Sequence, residues 1–183
     1  METIALILLF IPYVIIRYFT DDHDTPADKD RKRFSEGIEL VQSKQYEEAC
    51  AYFSLLVNRY PKSAIAFLYR GICQYQLGNY HSALYDFTQS TAFDNTQWEC
   101  FLYKGLSHLE LGEIHPAFLE LDKAVWHSRS ENPEVLRFRG EAHYRLRHFD
   151  SARIDWEAAA QLGDENAAYF LQTHFGKPVQ LRK

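Results

Sequence analysis

Cysteine is scarce. The three present among 183 residues (Cys50, Cys73 and Cys100) are odd in number and far apart, so neither a disulfide framework nor a C-x-x-C zinc site is suggested. Glycine and proline are also few, eight and six, which excludes collagen-like and low-complexity chains. Basic residues are outnumbered, 20 against 25 acidic, for a formal charge of −5. A general nucleic-acid binder needs a basic surface to neutralise phosphates, so nucleic acid is not expected as a partner. The short motifs of catalysis are missing as well: no glycine-rich phosphate loop, no nucleophile elbow and no H-E-x-x-H. The sequence therefore predicts no enzyme, no cofactor and no bound metal. Apolar residues (46%) and aromatic ones (15%) are plentiful, too many for a disordered chain. The length suits one domain with a short appendage.

The appendage is N-terminal. Residues 3–16 are fourteen consecutive uncharged residues, followed by Arg17, Tyr18 and Phe19. At about 1.5 Å per residue the run spans roughly 21 Å, against a hydrocarbon layer of about 30 Å. Extension to Phe19, with Arg17 snorkelling to the headgroups, brings it near the minimum for a span. Residues 1–19 are therefore expected to form an uncleaved transmembrane anchor. A cleaved signal peptide and a segment buried in the fold are the alternatives; the signal peptide lacks a positive n-region and an A-x-A site. Arg17, Lys29, Arg31, Lys32 and Arg33 all follow the run, which predicts a single-pass membrane protein with its large C-terminal part in the cytoplasm. Unpaired cysteines agree with that compartment. Residues 20–29, with Pro26, read as an exposed linker. The remainder carries 18 basic and 20 acidic residues, an ordinary surface with a net of −2.

Spacing decides the fold. Gly37, Gly71, Gly105 and Gly140 are 34, 34 and 35 residues apart, and twelve residues after each stands an alanine: Ala49, Ala83, Ala117 and Ala152. An apolar residue precedes each alanine by three (Tyr46, Tyr80, Ile114, Phe149) and another follows by four (Phe53, Phe87, Leu121, Trp156). A period near 34 means stacked supersecondary units. In a helix-turn-helix unit, the glycine and the alanine would mark the closest approach of the two helices, where a larger side chain overpacks the crossing. Gly78 and Gly112 fall in the turns, Pro116 just inside the following helix, Pro61 at the end of the first unit and Pro133 at the start of the fourth.

On these columns, and on Ala66 to Phe87 in particular, residues 30–163 resemble the tetratricopeptide repeat (TPR) family. The resemblance implies an all-α fold: a right-handed α-solenoid of four TPR-like helix-turn-helix units (30–63, 64–97, 98–132 and 133–163). Residues 164–183 are read as a capping helix and tail, stopped by Gly176 and Pro178. Unit one departs from the pattern at Arg33 and Lys44, and unit four at Arg147; terminal units of a solenoid are often atypical.

Two further patterns bear on function. Before the glycine stand Arg70, Lys104 and Arg139, but Glu36 in unit one; sixteen residues on stand Asp86, Glu120 and Asp155, but Tyr52 in unit one. Cation and anion come and go together, which predicts three inter-helix ion pairs; a cation ladder for an anionic ligand is the alternative. On the first helices a stripe reads Phe34, Ile38, Val41; Leu68, Ile72, Tyr75; Leu102, Leu106, Leu109; and Arg137, Glu141, Tyr144. The resemblance implies that it lines a concave partner-binding groove, while the plainer reading is helix–helix core. If it is a groove, polar substitution at Leu68, Ile72 and Leu106 should abolish binding without unfolding the domain. Chaperone-tail receptors of this family hold a carboxylate with a clamp of Lys, Asn and Arg. The matching positions (Phe34, Ile38, Tyr69, Glu99 and Tyr103) supply neither cation nor amide, so an apolar or aromatic peptide is the expected ligand. His108 and His143, at equivalent positions, are expected to fill a place that often carries tyrosine; without a third ligand they are weak evidence for metal.

The expectation is thus a membrane-anchored adaptor or scaffold that binds a peptide or helix of a partner protein. A structural subunit of a constitutive membrane-associated assembly or homo-oligomer is the alternative, and a secreted repeat protein a third reading.

Overall fold

The computed structural model describes residues 24–176, together with 10, 11 and 13. Over residues 24–176 ten helices follow one another: α1 (Pro26–Arg33), α2 (Ser35–Gln42), α3 (Tyr46–Arg59), α4 (Ala64–Gln76), α5 (Tyr80–Phe93), α6 (Trp98–Glu110), α7 (Ile114–His127), α8 (Pro133–Arg145), α9 (Phe149–Gln161) and α10 (Glu165–Phe175). Among the described residues there is no strand. Helices α2 to α9 make four antiparallel pairs, and α10 packs on α9.

The helix starts are written in the sequence. Ser63, Asn132 and Asp164 each accept a hydrogen bond from the backbone N–H three residues on, at Ala66, Val135 and Ala167. Pro133 sits at the first position of α8, where its missing N–H costs nothing. The turns within units two and three use Gly78 and Gly112 at φ of 77° and 75°; units one and four place Lys44 and Arg147 there instead, at 61° and 62°. Left-handed backbone costs a side-chain-bearing residue about 1–2 kcal/mol, so these two terminal turns are held by their surroundings.

The repeated glycines make room for the residue sixteen places later. A Cβ on Gly71 would lie 2.6 Å from Phe87, on Gly105 2.6 Å from Leu121, and on Gly140 2.5 Å from Trp156. The alanine column contributes its backbone: the carbonyls of Ala117 and Ala152 stand 3.3 and 3.2 Å from the same points. The small-residue pairing expected from spacing is therefore a large-into-small packing, with alanine fully buried beside it. Two apolar clusters result, one from α1 through units one and two to Cys100 and one from unit three to α10; Tyr75 and Tyr103 pack against both.

Successive first helices touch one another directly, α2 on α4, α4 on α6 and α6 on α8, and no two second helices pack to a comparable extent. The first helices therefore form the inner, concave layer and the second helices the outer one.

The N-terminal expectations change. Pro26–Lys29, read as linker, form the first turn of α1. Thr25 caps it reciprocally with Asp28, and Asp28 is held below the usual carboxylate range chiefly by its hydrogen bond from the Thr25 hydroxyl. The anchor over 1–19 lies almost wholly outside the described residues; Phe10, Ile11 and Tyr13 within it are helical and exposed. Among the described residues no helix is long and apolar enough to cross a membrane. The predicted transmembrane helix, and with it the single-pass membrane localisation, is corrected on that finding. The physical reason is already in the numbers: an uncharged run of roughly 21 Å falls short of a layer of about 30 Å, and only inclusion of Arg17 lengthens it.

Candidate functional site

The variable columns resolve first. Arg70 donates from Nε and Nη2 to the two carboxylate oxygens of Asp86 at 2.7 and 2.6 Å, and Arg139 does the same to Asp155 at 2.8 and 2.7 Å. Lys104 lies 3.3 Å from Glu120. All three pairs join the two helices of one unit, as the paired columns predict. Asp86 and Asp155 are buried, so their charges are spent inside the fold. The cations hold helices together and form no ladder for an anion.

The apolar stripe is mostly core. Phe34, Leu68, Ile72, Leu102, Leu106 and Leu109 are buried; Ile38, Val41, Tyr75, Arg137, Glu141 and Tyr144 are half-buried. Polar substitution at Leu68, Ile72 and Leu106 would therefore unfold the domain, contrary to the expectation from sequence. Partly open side chains on the inner helices lie one residue further round: Tyr69, Tyr103 and Phe138, spaced 34 and 35 residues apart. Tyr69 stacks on Phe53 at 5.4 Å between ring centroids, and Tyr103 on Phe87 at 5.9 Å. Burial pushes the Tyr103 and Tyr75 phenols up to about 12, with Glu134 adding to both. At neutral pH these phenols are hydrogen-bonding groups without charge.

Part of the concave face is filled by the chain itself. Helix α1 breaks from α2 at Phe34 (φ −101°, ψ 20°) and lies against α4. From it Arg31 reaches past unit two, donating to the Tyr69 hydroxyl at 3.0 Å, to Gln97 Oε1 at 2.7 Å and to Glu99 Oε1 at 3.0 Å. Its guanidinium stands 5.8 Å from the Tyr69 ring centroid. Reading Arg31 as a basic flank missed this. The signal for a helix was present in Thr25-Pro26-x-Asp28, a capping box with proline at the first position; nothing in sequence pointed to its destination.

At the other end a cavity of about 260 Å³ opens between α8, α9 and α10, lined by Glu141, Tyr144, Arg145, Trp156, Phe170 and His174. The candidate histidines are separately engaged. His108 Nδ1 lies 2.6 Å from Glu113, while His143 packs on Phe118 and faces His148 at 5.8 Å between rings. Among the described residues no three His, Cys, Asp or Glu are placed to hold a metal ion. Burial pushes the Cys73 and Cys100 thiols up to about 12, and Cys50, half-buried, accepts from Gln74 Nε2 at 3.2 Å.

Four glycine-spaced helix pairs, stacked with their first helices inward, define an α-solenoid of the tetratricopeptide type. Residues 34–95 match the tetratricopeptide repeat family. No curated protein matches the chain. Solved structures share the fold at low identity. MamA (41-end) from Desulfovibrio magneticus RS-1 is 14% identical, with a TM-score of 0.65 over 83% of this chain and 87% of that one. TTC0263, a thermophilic TPR protein of Thermus thermophilus, is 16% identical with a TM-score of 0.62, over 76% of each chain. PcrH, solved in complex with the chaperone binding region of PopD, is 21% identical with a TM-score of 0.55, over 68% of this chain and 92% of that one.

Proposed function

We propose that the chain is a protein-interaction scaffold that binds a peptide or helix of a partner protein along the inner layer of first helices. The observation that carries this reading is the row Tyr69, Tyr103 and Phe138, aromatic, partly open and set on a concave layer. Aromatic side chains give large contact area at small entropic cost. The chain already uses the first of them to hold a helix of its own, α1, through Arg31. The similarity to PcrH, which has a partner segment bound, favours the same reading. Of the residues predicted for the groove, the half-buried Tyr75, Glu141 and Tyr144 remain able to touch a partner, and the buried ones support the wall behind it.

A second reading rests on the outer face. Tyr85, Leu119 and Ile154, spaced 34 and 35 residues apart on the second helices, are all exposed. Such a column suits a subunit of a constitutive assembly or homo-oligomer.

Affinity capture with the tagged full chain and with Phe138→Lys tests the first reading. The variant, folded by circular dichroism, is expected to retain at least tenfold less partner. Undiminished capture by that folded variant would reject the groove. A constitutive oligomer in solution, dispersed by Leu119→Glu, would establish the second reading.

A further inference from the structure

The Arg31 site has a twin one repeat along. Its acceptors are the Tyr69 hydroxyl, the Gln97 amide oxygen and the Glu99 carboxylate. Moved by one repeat, 34 residues for the tyrosine and 35 for the other two, these positions carry Tyr103, Asn132 and Glu134, a phenol, an amide and a carboxylate again. The correspondence is structural as well as sequential. Gln97 and Asn132 are both N-cap residues, of α6 and α8, and Glu99 and Glu134 both occupy the second position of their helix. Tyr103 rests on Phe87 as Tyr69 rests on Phe53. Glu134 acts on the Tyr103 phenol through space, as Glu99 acts on Tyr69.

Among the described residues no arginine of the chain itself hydrogen-bonds to the Tyr103 hydroxyl, the Asn132 amide oxygen or the Glu134 carboxylate as Arg31 does to their counterparts. The residue one repeat after Arg31 is Ile65, which is fully buried in the core. Arg137, largely buried, approaches the exposed Glu134 only at 3.8 Å; its main bond is to Asp164 at 3.0 Å, with its guanidinium 4.0 Å from the Phe138 ring centroid. Arginine over an aromatic ring, bonded to a residue at the start of the next first helix, therefore occurs on both sides of the twin.

Resting on the groove reading, we infer that Tyr103, Asn132 and Glu134 form a subsite for an arginine side chain of the partner segment. The planar guanidinium matches the three acceptors as Arg31 matches theirs, and a carboxylate beside a ring face favours a delocalised cation. Asn132 is one methylene shorter than Gln97, and its Oδ1 also caps Val135, so Glu134 and Tyr103 carry most of the recognition.

The test uses the full ¹⁵N-labelled chain and a blocked seven-residue peptide with one arginine among alanines and leucines, beside the same peptide with uncharged citrulline. The arginine peptide is expected to shift the backbone amides of Tyr103 and Glu134, to bind at least tenfold tighter than the citrulline peptide, and to lose that preference in Glu134→Gln. Should Glu134→Gln fail to fold, Tyr103→Phe, which removes one acceptor, is expected to lower the preference in its place. Equal binding of both peptides, shifts at Tyr69 and Glu99 instead, or a preference that survives both variants overturns the subsite. With shifts still on the first helices the groove stands; shifts confined to the second helices overturn the groove as well. Binding of neither peptide rejects the subsite alone, because partner capture tests the groove independently.

Discussion

His143 takes in unit four the place that Gln74 has in unit two and His108 in unit three. The other two have polar partners: Asn79 donates to Gln74 at 2.9 Å and His108 meets Glu113. His143 faces His148, with Nε2 3.9 Å from Asp155, and its Nδ1 is buried with no hydrogen-bond partner among the described residues. Burial holds its pKa below the ordinary 6.5, with Arg139 and His148 pushing the same way and Asp155 and Asp122 opposing. The unfolded chain therefore takes up this proton at a higher pH than the folded one. Stability from this site is complete above about pH 6.5 and falls as the pH drops toward the folded value. Thermal melts between pH 7.5 and 5.5 should show a smaller loss in His143→Gln, which places there the glutamine of unit two, than in the wild type; equal slopes would contradict this. At this scale the sequence was legible where a residue type is forced by space. Glycine at 71, 105 and 140 is dictated by Phe87, Leu121 and Trp156. The surroundings of His143 come from three helices, and no spacing rule encodes them.

Between elements, the ion pairs carry the clearest energetic consequence. Removing one partner of a buried pair leaves an uncompensated charge, at about 3–5 kcal/mol, whereas replacing both by apolar groups is often neutral. Arg70→Met should thus destabilise strongly through the stranded Asp86, and Arg70→Met with Asp86→Leu should recover most of the loss. Denaturant titration of the two variants decides it, and equal destabilisation would contradict the account. Unit one is the natural precedent, carrying Glu36 and Tyr52 at the same places. Those pairs were readable because both members vanish together in one copy. The course of α1 was not readable, since its direction is set by acceptors 38, 66 and 68 residues away.

At the scale of the molecule, the 34-residue period foretold the stacked pairs, and the inner layer follows from which helices touch. The half-buried row proposed for a partner lies one residue on from the apolar stripe, a rotation of about 100° on a helix. An apolar stripe marks what a helix buries, and Leu68 and Leu102 are buried between neighbours. The row proposed to face a partner is aromatic and half-buried, and Tyr69, Tyr103 and Phe138 carry no periodic signal that separates them from core aromatics. The central claim is that partners are held on the inner layer, and photo-cross-linking tests it most directly. With p-benzoylphenylalanine placed at Phe138 on the inner helices, or at Tyr85 on the outer ones, partner adducts are expected from position 138 and not from position 85. Adducts from position 85 with none from position 138 would contradict the account.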